Sequence, residues 1–209
     1  MKTCIIDYES GNLTSVVKAT SSVASASMNI IVSNAPKDII DADYVILPGV
    51  GAFGHCRMGL DQIDGLLDAI THHVKVQQRP LLGICVGMQL MADMGFEHGT
   101  HQGLGLIAGQ VKPLNAVAGL TIPNIGWHPC DFRQDHPLHN GLDQAPWFYF
   151  VHSYAYHPAS NDDVAATISY GDMITASIAK DNLYGTQFHP EKSQKAGQIL
   201  LHNFLNWKV

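Results

Sequence analysis

The first half of the chain alternates short apolar runs with longer amphipathic stretches. The apolar, β-branched runs predict strands at residues 4–6, 30–32, 44–47 and 81–84. Between them, apolar positions that recur every three or four residues predict helices over 13–26, where Asn12 is a candidate cap, and over 60–76. Strand–helix–strand alternation implies a parallel sheet covered on both faces. We therefore expect an α/β fold with a doubly wound, flavodoxin-like, mostly parallel sheet.

The second half of the chain has a different pattern. An aromatic run at residues 147–152 is followed at short intervals by apolar runs at 164–169, 174–179 and 184–189. Turn-forming pairs, Gly171-Asp172 and Asp181-Asn182, separate the last three runs. This spacing predicts an antiparallel C-terminal extension of the parallel sheet, closed by an amphipathic helix over 197–207. Because no linker, repeat or low-complexity segment interrupts the chain, we expect a single domain over residues 1–209.

Composition and charge exclude several classes of function. The 209 residues suffice for one sizeable core, and the hydrophobic content of 46% is ordinary for a globular protein. A net charge of −6, without any long Lys/Arg run, argues against nucleic-acid and anionic-membrane binding. No apolar run is long enough for a signal peptide or a bilayer span. We expect no nucleic-acid partner and no membrane.

The metal- and disulfide-forming residues are numerous but scattered. The four cysteines, at positions 4, 56, 85 and 130, form no C-x-x-C motif and suggest no disulfide framework. Free thiols fit a reducing compartment, so a cytoplasmic location is expected. None of the twelve histidines belongs to a group of ligands with the spacing of a known metal site. We therefore expect no metal and no organic cofactor.

A candidate nucleophile lies in the run GICVGMQ at residues 83–89. The run follows an apolar stretch and precedes a helical pattern, which is typical of a nucleophile elbow with cysteine as the nucleophile. Glycines permit the sharp turn that exposes Cys85, and the start of a helix favours its thiolate form. A buried core cysteine is the alternative.

A candidate base lies in the run GTQFHPEKS at residues 185–193. His189 and Glu191 are two residues apart, so on an extended backbone their side chains project to the same side. The carboxylate can then fix the imidazole tautomer and leave the other ring nitrogen for the cysteine. By itself, this pair could equally be an exposed strand end. Together with the elbow, it predicts a Cys85–His189–Glu191 triad.

Two glycines follow the predicted strand 44–47, in the run PGVGAF at residues 48–53. Backbone N–H groups at the carboxyl end of such a strand face the crevice where open α/β sheets bind ligands. The N–H groups of Gly51 and Val86 would form an oxyanion hole. An ordinary turn is one alternative; phosphate binding is another, although no Walker-type lysine follows.

Taken together, these three runs resemble those of the triad-type (class I) glutamine amidotransferases, in the order and spacing of that family. Four further runs are similar to one branch, the glutaminase subunits of imidazole glycerol phosphate synthase: DYESGNL at 7–13, GLGLI at 103–107, IPNIGW at 122–127 and YFVHSY at 149–154. The resemblance covers essentially the whole chain and implies the class I glutamine amidotransferase fold. The chain differs from the usual pattern at a few positions: Glu9-Ser10, Val86, Asn124-Ile125 and His128.

The resemblance implies a mechanism and a set of substrate-binding residues. Cys85 attacks the carboxamide carbon of glutamine, and His189, oriented by Glu191, protonates the leaving ammonia and then activates water. The substrate is held by residues on three segments: Gly49 and Val50; Gln89; and His152, Ser153 and Tyr154.

The resemblance also implies a partner and a regulatory step. The partner is a (β/α)8-barrel cyclase subunit, forming a heterodimer. With the ammonia it receives, the cyclase converts N'-(5'-phosphoribulosyl)formimino-5-aminoimidazole-4-carboxamide ribonucleotide (PRFAR) to imidazole glycerol phosphate and the aminoimidazole carboxamide ribotide AICAR, in histidine biosynthesis. The oxyanion hole is expected to form fully only when acceptor binds, through a peptide flip that Gly49 and Gly51 permit. Two alternatives stay open, a paralogous glutaminase that feeds another synthase and a non-catalytic binding subunit.

Overall fold

The computed structural model describes residues 1–8 and 13–209. Its helices are α1 (Leu13–Val23), α2 (Pro36–Ile40), α3 (Phe53–Asp61), α4 (Leu66–Thr71), α5 (Val86–Gln89) and α6 (Gln194–Leu205). The strands of the first part are β1 (Lys2–Ile6), β2 (Asn29–Ser33), β3 (Tyr44–Leu47), β4 (Leu81–Ile84), β5 (Met94–Gly95), β6 (His101–Gln102) and β7 (Gly109–Pro113). The remaining strands are β8 (Asn124–Pro129), β9 (Asp131–Phe132), β10 (Trp147–His152), β11 (Tyr154–Pro158), β12 (Val164–Tyr170), β13 (Asp172–Lys180) and β14 (Leu183–Thr186).

An eight-stranded sheet in the order β2-β1-β3-β4-β14-β13-β12-β9 organises the molecule. The five strands from β2 to β14 are parallel, and β13, β12 and β9 continue the sheet antiparallel. Strands β3 and β4 are fully buried, as strands covered on both faces must be. The mostly parallel sheet with an antiparallel extension confirms the predicted fold class.

The predicted strands of both halves are present, but one helix prediction was wrong. The single helix expected over 60–76 is divided into α3, α4 and a π-helical turn, His72–Val76. Gly65, in the left-handed region at φ 72°, separates α3 from α4 because it reverses the backbone between two helices. The expected cap Asn12 lies outside the described residues.

Strands β5 to β8, β10 and β11 form two smaller sheets. The hydrophobic pattern predicted no strand in the part of this region before residue 147. Strands β8 and β10 form an antiparallel pair, and β11, β7, β5 and β6 form a four-stranded sheet. The aromatic run at 147–152 therefore forms β10 of a separate ribbon and is not part of the main sheet. The ends of this ribbon and the residues next to them, Pro123 and residues 151–154, line a cavity together with residues that follow β3, β4 and β14.

Within residues 1–8 and 13–209, no helix is long and apolar enough to cross a membrane.

Candidate active site

Cys85 lies at a strained turn between β4 and α5. Its backbone has φ 54° and ψ −110°, a conformation that a non-glycine residue adopts only where the surrounding structure enforces it. Gly87 makes the turn possible, since a Cβ atom there would overlap the carbonyl oxygen of Leu47 on β3. The backbone thus makes the sharp strand-to-helix turn that the glycines of the run predicted. Helix α5 is a single turn, Val86–Gln89, and so is shorter than the helical pattern after Cys85 suggested.

The parallel pairing of β14 with β4 brings His189 to Cys85. Gly185 and Thr186 are in register with Gly83 and Ile84, so both chains leave the sheet at the same point. His189 Nδ1 lies 2.8 Å from Glu191 Oε1, and the Glu191 side chain is 1% exposed. The two residues meet through a 3-10 turn, Pro190–Lys192, and not on the extended strand assumed from their spacing.

The electrostatics of the triad favour an imidazolium. Burial lowers the pKa of His189, but hydrogen bonds to Cys85 and Glu191 outweigh burial and raise the pKa to about 10. His189 therefore carries its proton at neutral pH. Glu191 Oε2 is buried and has no hydrogen-bond partner among the described residues. The hydrogen bond between this carboxylate and the described residues is therefore the one to His189.

Gln187 is a member of the site that the sequence did not single out. Its side chain is fully buried, and its Nε2 lies 3.7 Å from Cys85 Sγ. Its Oε1 accepts a hydrogen bond of 3.0 Å from Gln89 Nε2, which also donates to the carbonyl of Tyr154 at 3.1 Å. Its place in the GTQFHPEKS run, two residues before His189, was the available signal.

The predicted oxyanion hole is occupied by a protein carbonyl. Val86 N–H donates to the carbonyl oxygen of Gly49 at 3.3 Å, so this N–H is not free for a substrate. Gly51 has φ 105°, which only glycine adopts without strain. Turning the peptide unit between Gly49 and Val50 would release Val86 N–H and exchange the Gly49 carbonyl for the N–H of Val50. Three donors fix the neighbouring groups: Tyr8 Oη–H donates to Pro48 O (2.5 Å), Cys56 Sγ–H to Val50 O (3.4 Å) and Phe53 N–H to Glu97 Oε2 (2.7 Å).

A cavity of about 570 Å³ opens above Cys85. It is lined by nine of the residues expected from the sequence: Val50, Gly51, Cys85, Val86, Gln89, His152, Ser153, Tyr154 and His189. Gly49 and Glu191 do not line it; Gly49 contacts Val86, and Glu191 lies behind His189. The sequence did not single out Glu97 and Lys192, which place one negative and one positive charge on the cavity wall.

A sequence motif contains Lys192 but not Glu97. Lys192 lies in the GTQFHPEKS run. Glu97 had no local signal, because it lies on a loop after β5 and reaches the cavity only through tertiary packing.

Among residues 1–8 and 13–209, no group of three His, Cys, Asp or Glu side chains has the arrangement of a metal site.

Comparison with known proteins agrees with this geometry. The model of the family described as glutamine amidotransferase class-I matches residues 4–207. The chain is 48% identical to imidazole glycerol phosphate synthase subunit HisH of Rhodospirillum rubrum, covering 99% of each chain, and 46% identical to that of Bradyrhizobium diazoefficiens, covering 100% of each.

Two solved structures share the fold at low sequence identity. A crystal structure of a glutamine amidotransferase has a TM-score of 0.73 at 16% identity and covers 97% of each chain. A chain of PurLQS from Thermotoga maritima has a TM-score of 0.70 at 16% identity, covering 98% of this chain and 97% of that one. The family model matches nearly the whole chain, and the relatives are 46–48% identical over their full length. The chain therefore belongs to the class-I glutamine amidotransferases and, among them, to the HisH subunits of imidazole glycerol phosphate synthase.

Proposed function

We propose that Cys85, His189 and Glu191 hydrolyse glutamine to glutamate and ammonia in the cavity above the elbow. The Cys85 sulfur forms a bond to the carboxamide carbon, and the C–N bond breaks as His189 gives its proton to the leaving ammonia. His189 then takes a proton from water, whose oxygen displaces the sulfur from the thioester. The observation that carries this assignment is the position of His189 beside Cys85 in the cavity wall, with its Nδ1 2.8 Å from Oε1 of the buried Glu191.

The charges on the cavity wall suit an α-amino acid. The carboxylate of Glu97 lines the cavity, and its Oε2 accepts a hydrogen bond from Phe53 N–H, which holds the side chain in position. Its negative charge can therefore pair with the α-ammonium group of the substrate. Both N–H groups of Gln89 are used within the protein, so only its Oε1 remains to accept from a ligand. Ser153 and Tyr154 supply backbone groups for the carboxylate end, with Val50 on the opposite wall.

The carbonyl in the oxyanion hole supports a gated enzyme. In the conformation described, Val86 N–H cannot stabilise a tetrahedral oxyanion because Gly49 O accepts its hydrogen bond. We propose that acceptor binding at the partner favours the turned Gly49–Val50 peptide. The turned peptide offers Val86 N–H together with Val50 N–H; the Gly51 N–H expected from the sequence remains the alternative donor. Loss of one such donor costs about 100- to 1000-fold in rate in other hydrolases.

A docking face for the barrel cyclase subunit adjoins the cavity. Alternation along the antiparallel pair β8–β10 places Ile125, Trp127 and Trp147 on its outer face, 58%, 38% and 57% exposed. Val151 lies on the same face and lines the cavity. Exposed aromatic residues beside a reactive site are typical of a protein interface. We propose that the cyclase seats here, so that ammonia passes directly into it.

The acceptor follows from the family branch. Identity of 44–48% to HisH subunits over the full length favours PRFAR as the final acceptor over a paralogous synthase. A non-catalytic role is disfavoured because the chain keeps Cys85, His189 and Glu191, with His189 Nδ1 2.8 Å from Glu191 Oε1. The four free, buried cysteines support a reducing, cytoplasmic location.

Glutamate release by the purified chain tests the proposal. The chain is measured alone and with the barrel cyclase and PRFAR, beside a Cys85→Ala control. We expect weak activity alone, strong activity in the complete mixture, and none above background with Cys85→Ala. If Cys85 is alkylated by a glutamine-like electrophile but PRFAR gives no stimulation, the acceptor assignment fails. If Cys85→Ala retains activity, the triad assignment fails.

A further inference from the structure

A chain of buried polar side chains lies behind the substrate-binding segment 152–154. Asn124, the first residue of β8, is fully buried and contacts two histidines. Its Nδ2 lies 3.0 Å from His152 Nε2, and its Oδ1 lies 2.8 Å from His128 Nε2. His152 Nδ1 lies 2.9 Å from the carbonyl oxygen of Tyr154. The three side chains thus connect β8 to a backbone group at the cavity.

The hydrogen-bond directions of this chain follow from chemistry. The carbonyl of Tyr154 only accepts, so His152 carries a proton on Nδ1. An amide nitrogen only donates, so His152 Nε2 is the acceptor and the ring is neutral. Asn124 Oδ1 only accepts, so His128 donates from Nε2. The order of donation is His128 to Asn124 to His152 to Tyr154, without a mismatch.

Burial agrees with a neutral His152. It lowers the pKa of His152 to about 4 and outweighs the hydrogen bond to the Tyr154 carbonyl, which raises it. The pKa of His128 is also lowered by burial. The charged and titratable groups that face His152 are His128 from β8 and His189 from the triad, with Glu97 and Lys192 on the same cavity wall.

The Tyr154 carbonyl is the point where this chain meets the catalytic residues. It accepts from His152 and also from Gln89, whose Nε2 is bonded to Gln187, the residue beside Cys85. We propose that Asn124 and His128 are positioning residues for glutamine. They act through His152 to hold the segment that binds the amino-acid end of the substrate, and this inference rests on the proposed glutaminase function. Neither residue lines the cavity.

The Asn124→Asp variant tests this proposal by changing one hydrogen-bond direction and almost no volume. A carboxylate still accepts from His128 but cannot donate to His152 Nε2. The chain is satisfied again only when His152 takes a second proton and donates from both nitrogens. The segment is therefore well held at low pH and released as pH rises through the new pKa of His152.

The measurement is the KM for glutamine in the complete complex between pH 6 and pH 8.5. The ratio of variant to wild-type KM is expected to be within about threefold at pH 6 and above about tenfold at pH 8.5, with kcat changed less. The ratio cancels the titration of His189 and of other shared groups that do not contact residue 124. The new carboxylate also raises the pKa of His128, which contacts it, so the readout on His152 itself is needed as well. Asn124→Leu should raise KM at every pH, and Asn206→Asp, the same change at an exposed site on the end of α6, should leave KM unchanged.

A second readout does not depend on activity. Nuclear magnetic resonance of 15N-histidine-labelled protein, with His152 assigned from a His152→Gln variant, should show a neutral ring protonated at Nδ1 in the wild type and a doubly protonated ring in Asn124→Asp at pH 6. A neutral His152 in both proteins throughout this range would overturn the proposal, and so would a KM ratio that stays flat with pH. Absence of any glutamate release by the wild-type complex would instead refute the proposed function, while the resonances would still report on His152.

Discussion

The two carboxylates at the site, Glu191 and Glu97, are predicted to have different kinetic roles, which one kind of substitution can separate. Glu191→Gln and Glu97→Gln both remove a charge and keep an oxygen that can accept the existing hydrogen bond. Glu191 is hydrogen-bonded to His189 and does not line the cavity, whereas Glu97 does. We expect the first variant to lower kcat and the second to raise KM.

The size of the Glu191 effect can be estimated from the imidazolium. Raising the His189 pKa from 6.5 to about 10 corresponds to about 5 kcal/mol in favour of the protonated ring. Cys85 and Glu191 share this stabilisation, so loss of one charge removes about 2–3 kcal/mol, or about 100-fold in kcat. Because the variant ring loses its proton at lower pH, its deficit relative to wild type should grow between pH 6 and pH 9.

Steady-state glutamate release by the complex with cyclase and acceptor measures both variants. Glu97→Gln should raise KM about tenfold or more with kcat within about threefold, since one charge pair with the substrate is lost. Ammonia-dependent cyclase activity, which bypasses the glutaminase, should be unchanged in both. A Glu191→Gln enzyme within tenfold of wild-type kcat at every pH would refute the triad energetics.

Three further predictions concern stability and association. Gly87→Ala should prevent soluble folding or lower Tm by more than about 10 °C, because its Cβ would overlap a β3 carbonyl; a Tm shift of a few degrees would contradict the packing. Burial lowers the pKa values of His136 and His152 to about 4, so the unfolded chain binds more protons below pH 6.5. Urea unfolding should show a loss of about 2 kcal/mol for each histidine at pH 5, and equal stability at pH 5 and 7 would contradict their burial. Trp127→Ala should weaken cyclase binding by tenfold or more in calorimetry, whereas Met173→Ala, an exposed residue near the start of β13, should not; equal effects would exclude the β8–β10 face.

The sequence predicted those parts of the site whose geometry depends on residues close together in the chain. The elbow at Cys85 requires small residues at fixed positions, and Gly87 packs against β3 as that requirement implies. The pairing of His189 with Glu191 was predicted from their residue types and their two-residue spacing. The extended backbone assumed for them was wrong, because they meet through a 3-10 turn. A two-residue spacing allows contact in several backbone conformations, so the pair was predictable and its geometry was not.

The parts that the sequence did not reveal depend on contacts between distant segments. Glu97 reaches the cavity from a loop without periodicity, and its role depends on Phe53, which is 44 residues away. The ribbon β8–β10 has one exposed face and aromatic residues on both, so its pattern did not distinguish it from a strand of the main sheet. Asn124 differed visibly from the family pattern, but only the structure shows that its two partners are histidines.

In the proposed mechanism, the Gly49 carbonyl in the oxyanion hole keeps the triad inactive at little energetic cost. The hydrogen bond from Val86 N–H to Gly49 O, 3.3 Å long, contributes about 0.5–1.5 kcal/mol. A correctly placed oxyanion donor lowers the barrier by about 2.7–4 kcal/mol. A partner therefore needs to supply only a small free energy to turn one peptide, and it gains a 100-fold or larger change in rate. Because Tyr8 and Cys56 hold the carbonyls of Pro48 and Val50 on either side, the turn can be confined to the one peptide that controls catalysis, and the rest of the site stays ready.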